Sequence, residues 1–429
     1  MLLIFVDEVT DRLIFTLDFI FASRKIEYRF TNDPVFFDKT STNKFNYSNR
    51  FFENAKGLLP ATVLFDEAVF PYSIEKSNFG AEECMSFDRV TDPLASIFYV
   101  LSRMEEYTNQ RKDDHERFSA KESLQYKFGW LEKVMCDRWA EAFISHVETE
   151  LSIYLNPAPI PVRLIPTFDI DNTYAFKWKT GWRRLLGTGR DWLRRDHERL
   201  KRRKQVVEKS AEDPYDTFEY ILSIAASGFD VKLFWLLGDY GKYDKNISSM
   251  DIRHRQLIQK MAKSVSVGLH PSYKSNAGIY HLEAEKQRID SILGEPVLHS
   301  RQHFLKLQLP VTYKNLISKG FTDDFTLGYA DETGFRAGTA RPFNFFDLEK
   351  NVKTDYILHP FAYMDGTLNE YKHWTIEESK AQVLKLYKEV SRFGGDFIFI
   401  WHNETIGDFG KWKGWREVLE FTLNLRDEY

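Results

Sequence analysis

From Arg163 to the end of the chain, apolar strands alternate with amphipathic helical stretches, and that rhythm leaves few folds open. The strands read RLIPTFDID, VKLFWLLGDY, VSVGLHPSY, VLHSRQHF, DFTLGYAD, DYILHPFAY and DFIFIWHN. Between them fall stretches such as DTFEYILSIAASG, IRHRQLIQKMAK and IEESKAQVLKLYKEVSRFGG, with apolar residues at helical spacing. Strand, helix and strand in succession imply parallel pairing with helices outside. These seven strands predict an α/β fold, a (β/α) barrel that is seven-stranded and incomplete. In such a barrel the chemistry gathers at the carboxyl ends of the strands.

The rhythm begins just after Asn156-Pro157-Ala158-Pro159-Ile160-Pro161, where alternate prolines block helix and stiffen an extended connector. The chain therefore divides into a smaller N-terminal α+β accessory domain (1–155), a Pro-rich linker (156–162) and the barrel (163–429). The first part mixes short strands, LLIFV and ATVLF, with two helices. One is DPLASIFYVLSRMEEY, with Asp92 as N-cap and Pro93 at the first helical position; the other is LEKVMCDRWAEAFISHVETEL. This part is expected to supply no catalytic group, and to shape a substrate cleft or mediate assembly. Its acidic pair Glu105-Glu106 and the tract Asp113-Asp114-His115-Glu116 read as a solvated helix end and loop.

A net charge of −4 over 429 residues excludes a general nucleic-acid binder. No apolar stretch approaches the ~20 residues that cross a bilayer. The opening MLLIFVDEVTDRL reads as a first strand, and the expected location is the cytoplasm. Cys84 and Cys136 have no CxxC partner and read as two unrelated thiols. One segment, 177–205, breaks the pattern. It is strongly basic, with Trp178, Trp182 and Trp192 interleaved. As a helix it would be amphipathic and cationic, suited either to an anionic surface or partner or to packing on its own domain.

The strand ends carry the informative side chains. The first ends Asp169-Ile170-Asp171, and strand alternation turns both carboxylates to one side. Two carboxylates so placed repel unless a cation or a proton sits between them. Other strand ends carry His270, Arg301 with His303, His359, and His402. One strand-end histidine is usually just a satisfied polar residue. Several beside an aspartate pair point to a metal or acid–base site, and mixed Asp and His ligands suit Zn²⁺ or another first-row divalent ion. No Gly-rich phosphate loop and no Gly-x-Ser-x-Gly turn follows a strand.

The order TFDID, HPSY, SRQHF and WHNE resembles the polysaccharide deacetylases (carbohydrate esterase family 4, NodB-like), in particular a branch with an appended N-terminal domain. The resemblance covers Arg163 to the C-terminus. It implies a metal-dependent carbohydrate deacetylase, with TFDID as a variant of a Thr-Phe-Asp-Asp motif, His270 as a metal ligand, Arg301 on the fourth strand, and a late strand-end histidine as general acid. Two departures stand out. Ile170 separates the aspartates, which are adjacent in the family. Lys274 occupies the position of the family's second histidine, and a charged ammonium cannot ligate a metal. His303 is our replacement, because neighbouring parallel strands lie ~5 Å apart.

The resulting expectation has Asp171, His270 and His303 holding the metal and Asp169 acting as general base, kept ionised by Arg301. His402 is the first choice for the acid and His359 its competitor. Tyr273, Trp401 and Asn403 are expected to touch the substrate. The reaction removes an acetyl group, N-acetyl first, from a carbohydrate or a lipid-linked or nucleotide-linked precursor. Two alternatives stay open: a glycoside hydrolase pairing Asp169 with Asp239 or Asp331, and an inactive carbohydrate-binding module in which Lys274 records a lost metal.

Overall fold

The computed structural model describes residues 1–109, 111–179 and 181–428. Its N-terminal part opens with a parallel sheet in the order β2-β1-β3-β4, formed by β1 (Leu2–Val6), β2 (Tyr28–Thr31), β3 (Asn43–Tyr47) and β4 (Lys56–Gly57). An antiparallel unit of β5 (Ile74–Phe79), β6 (Glu82–Phe87) and β7 (Val90–Thr91) follows. ATVLF is not a strand: Thr62–Leu64 form a 3₁₀ turn. The helix Pro93–Leu101 starts where its cap and proline predict. The buried Asp92 carboxylate accepts the backbone N–H groups of Leu94 and Ala95, and also binds the Tyr47 hydroxyl at 2.6 Å.

The connector carries no helix or strand over 153–161. Beyond it lies one curled, partly open sheet of nine strands: β8 (Val162–Ile170), β9 (Lys232–Leu236), β10 (Ser266–His270), β11 (His299–Ser300), β12 (Asp323–Asp324), β13 (Phe343–Asp347), β14 (Val352–Leu358), β15 (Tyr363–Met364) and β16 (Gly395–His402). The order is β13-β14-β12-β11-β10-β9-β8-β16-β15, and all pairings are parallel except β13 with β14. Five of the seven predicted strands form over most of their expected core, whereas VLHSRQHF shrinks to the two residues of β11 and DFTLGYAD overlaps β12 only at Asp324, the rest of it running on without strand pairing. Two more, β13 and β15, extend the edges. β15 has only two residues, too few for a periodic signal, and β13 lies within the hairpin leading into β14.

Alternation decides what each strand residue faces. Along β16, Phe397, Phe399 and Trp401 join the large core shared with the helices, whereas Ile398 and Ile400 join a smaller core with Ile165, Phe234, Phe325 and Phe361 inside the curl. His402 is in phase with the inner set. On β8, Phe168 and Ile170 belong to the helix side, which leaves Asp169 in phase with Ile165. The register pairs His402 with Asp169 across β16 and β8.

The two parts of the chain are joined by more than the connector. A contiguous apolar core runs from Leu2 through Trp139 to Leu425. Glu105 and Glu106 are not solvated. The Glu106 carboxylate takes both ends of the Arg336 guanidinium at 2.9 and 2.6 Å and Arg103 Nε at 2.8 Å, while Glu105 takes Arg103 Nη2 at 2.6 Å. All four side chains are almost wholly buried. The sequence reading failed here because the partner, Arg336, lies more than two hundred residues away.

Candidate metal centre

The site lies at the carboxyl ends of β8, β10 and β16 and in the turn after β11. Asp169 is buried, and its Oδ1 accepts Arg301 Nη1 at 2.8 Å. Arg301 is itself fixed by the Phe325 carbonyl at 2.9 Å and by the Phe234 ring, whose centroid lies 4.3 Å from the guanidinium carbon. Asp171, just past the strand, is half-buried and faces two imidazoles. His270 Nε2 lies 3.2 Å from its Oδ1, and His303 Nε2 lies 3.2 Å from its Oδ2.

The outer nitrogens of both rings are already committed. His270 Nδ1 faces the Arg301 carbonyl, and His303 Nδ1 lies 2.9 Å from the buried Asp244 carboxylate. A carbonyl or a carboxylate can only accept, so each ring places its N–H there and presents a bare Nε2 lone pair inward. Three lone-pair atoms therefore converge, one each from Asp171, His270 and His303, all within 4.8 Å of one another. Asp171 Oδ1 is buried without a hydrogen-bond donor. Such a cluster is stable only around positive charge, and the donor set fits a divalent cation. Otherwise a proton must serve. Burial disfavours the His303 imidazolium, but Asp171 and Asp244 on either side push it up to about 9. Burial likewise opposes the Asp171 carboxylate, yet His303, His270 and His402 hold it well below the usual range.

His402 stands on the other side of Asp171, its Nε2 3.9 Å from Oδ2. Its Nδ1 is 2.9 Å from Asp365, which also accepts the His402 backbone N–H at 2.8 Å and the Thr405 hydroxyl. Burial works against charge on this ring, but Asp365, with Asp171 and Asp169 behind it, holds the imidazolium well above the ordinary histidine value.

The cleft over these groups is lined by Phe304, Glu370, Tyr371, Glu404 and Trp412 among others. Arg117 of the N-terminal part also reaches it, anchored by Asp113 at 2.6 Å and by the Phe304 carbonyl at 2.9 Å. Nearby, Glu116 pairs with Lys306 at 2.6 Å. The acidic tract 113–116 is thus a brace at the cleft rim.

Asp169, Asp171, His270, His303 and His402 converge, and Arg301 stands behind Asp169. His303 arrives by a different route from the one expected. β11 ends at Ser300, and His303 begins a 3₁₀ turn pinned by its N–H to the Pro271 carbonyl at 3.0 Å. Lys274 is exposed and does not line the cleft. His359 does not line it either; its Nε2 is bound to Asp323 at 2.8 Å and its ring stacks on Phe325. Trp401 is completely buried in the helix-side core, one residue out of phase with His402. Asn403 is completely buried too, its amide donating to the carbonyls of Asn172, Thr173 and Tyr215, so it clamps the strand end and touches no cleft. Tyr273 packs against Tyr243 and Phe304 outside the cleft lining. Asp239 pairs with Arg288 at 2.8 Å, and neither it nor Asp331 lines the cleft. Asp244 and Asp365 were missed: both lie outside the strands, and their partners are 59 and 37 residues away.

In the basic segment, Trp178 packs against Tyr174 and under Arg253. Thr180 and the Trp182 side chain lie outside the described residues.

Residues 2–152 match a family of unknown function, DUF7033, and the match stops just short of the connector. No curated protein matches the chain. Among solved structures, it is similar to a Mycobacterium smegmatis protein assigned as a polysaccharide deacetylase (15% identity, 63% of this chain and 87% of that one, TM-score 0.41). It is also similar to Puue allantoinase (11% identity, 63% and 85%, TM-score 0.36) and to the polysaccharide deacetylase Bc1974 from Bacillus cereus (10% identity, 62% and 88%, TM-score 0.29). At these values the geometry of the site has to carry the functional reading.

Proposed function

We propose that the protein is a metal-dependent hydrolase that removes an acetyl group, N-acetyl first, from a carbohydrate or glycan precursor in the cytoplasm. The observation that carries this is an arrangement of opposed proton-transfer groups. Asp169, backed by Arg301, and His402, backed by Asp365, flank the Asp171–His270–His303 cluster. Two imidazoles and one carboxylate suit Zn²⁺, with a position left for water or substrate. A divalent cation bound there supplies the positive charge that acidifies water and polarises an acyl carbonyl.

The chain's own groups account for the proton movements. Asp169 accepts the proton of the attacking water, and Arg301, donating to its Oδ1 at 2.8 Å, orients that carboxylate. His402, kept protonated by Asp365, donates to the leaving amine from Nε2. Tyr371 and Trp412 in the cleft offer aromatic faces on which a sugar ring can stack. The glycosidase pairings of Asp169 with Asp239 or Asp331 have no support in the cleft, since neither Asp239 nor Asp331 lines it.

The test is to load the purified chain with Zn²⁺, incubate it with N-acetylglucosamine oligomers and an N-acetylated nucleotide sugar, and measure released acetate. Zinc at one equivalent and chelator-sensitive acetate release support the reading. Zinc bound with no acetate from any N- or O-acetylated sugar would overturn the deacetylase assignment.

A further inference from the structure

The hairpin of helices Gly181–Leu193 and His197–Val207 leaves the carboxyl end of β8, the same end of the sheet that carries the metal site. It is folded the wrong way round for a helix that serves a core. Leu185, Leu186, Trp192 and Leu193 are 74%, 64%, 70% and 75% exposed. At 100° per residue these four positions fall within an arc of about 120°, a continuous apolar stripe. The inward side is polar. Asp191 is buried and binds Arg203 at 2.5 Å and Arg199 at 3.4 Å, which ties the two helices together. An ordinary amphipathic helix buries its apolar face and wets its charges; here the charges hold the hairpin and the apolar stripe meets solvent.

The charge around the stripe says what covers it. Residues 177–205 contain twelve Lys and Arg against three Asp and Glu, in a chain whose net charge is −4. Arg184 and Arg190 flank the stripe on its two sides. Behind Leu186 a cavity is lined by Lys179, Arg190, Arg199 and Arg203, with Asn172, the neighbour of Asp171, also on its wall. Leu and Trp projecting from a rim of arginines match the boundary between acyl chains and anionic headgroups, where apolar side chains leave water while cations stay at the phosphates.

We infer that the hairpin 181–207 docks this protein on an anionic lipid bilayer, its apolar stripe inserted and its arginines at the headgroup phosphates. Binding is read without turnover, so it stands or falls separately from the hydrolase reading.

The test is co-sedimentation of the full chain with phosphatidylcholine vesicles, with and without phosphatidylglycerol, at low and high salt. We expect binding at least ~10-fold stronger to the anionic vesicles and weakened by salt. The double variant Leu185→Glu/Trp192→Glu should lose it with an unchanged melting transition, since both side chains are exposed. A second variant, Arg184→Glu/Arg190→Glu, should lose the preference for anionic lipid. Absence of binding to the anionic vesicles, equal binding to neutral ones, or undiminished binding by the Leu185→Glu/Trp192→Glu protein each overturns the inference. So does a wild-type dimer that the same variant dissociates, because the stripe would then face a second copy of the chain.

Discussion

His402 Nδ1 lies 2.9 Å from Oδ1 of Asp365, a carboxylate with no exposed surface. The pairing fixes which nitrogen of His402 points at the metal cluster and keeps the ring charged. Asp365→Asn removes the charge but keeps an oxygen for the Thr405 hydroxyl. It should lower kcat about 100-fold or more with metal content unchanged. The alkaline limb of the pH–rate profile should move to lower pH, because a His402 that has lost its counter-charge gives up its proton sooner. An unchanged profile would show that Asp365 only holds structure.

The two aspartates of β8 should separate in metal analysis. Asp169→Asn is expected to keep the metal and lose turnover, whereas His270→Ala and His303→Ala lose both. Lys274→His should leave metal content as it is, because Lys274 is exposed and outside the cleft. If that substitution instead creates metal binding in a chain that had none, the hydrolase reading fails.

Asp244 touches the outward Nδ1 of His303 and supplies no atom to the converging ligand set. Asp244→Asn should weaken metal affinity about 10- to 100-fold without abolishing it, the usual effect of losing an orienting carboxylate. A competition titration with a chromogenic chelator reads this directly.

Glu106 holds Arg103 and Arg336 across the junction of the two parts of the chain. Glu106→Gln leaves two buried guanidinium groups sharing the remaining charge of Glu105. The expected loss is about 3–5 kcal/mol in denaturant unfolding.

His254 gives a pH test away from the metal. Trp235 Nε1–H donates to its Nε2 at 2.8 Å and Nδ1 faces the Ser248 carbonyl, so the buried ring is held neutral. Burial lowers it to about 4, against a weaker upward pull from Asp251. The unfolded chain takes up this proton near pH 6.5 and the folded chain only near 4. Stability from this group is therefore full above pH 6.5 and lost as the pH falls toward 4. His254→Gln should flatten the fall in melting temperature over that window, and an equal slope in both proteins would assign it elsewhere.

The sheet and much of the site were legible in the sequence because both follow from local rules. Strand–helix alternation specifies parallel pairing, and the period of two puts Asp169 on the inner side of β8. The same period, applied strictly, would have excluded Trp401 once His402 was chosen, since neighbours on a strand cannot share a face. Asp244 and Asp365 left no such mark. Each lies outside the strands, and it reaches its histidine only because the curl of the sheet brings distant loops to one end. Glu106 looked like a wet helix end until Arg336 was folded against it. Local sequence determines backbone periodicity and therefore which residues can face inward. Which inward residues become ligands, and which carboxylates orient them, depends on contacts between segments far apart in the chain, and those exist only once the sheet has curled.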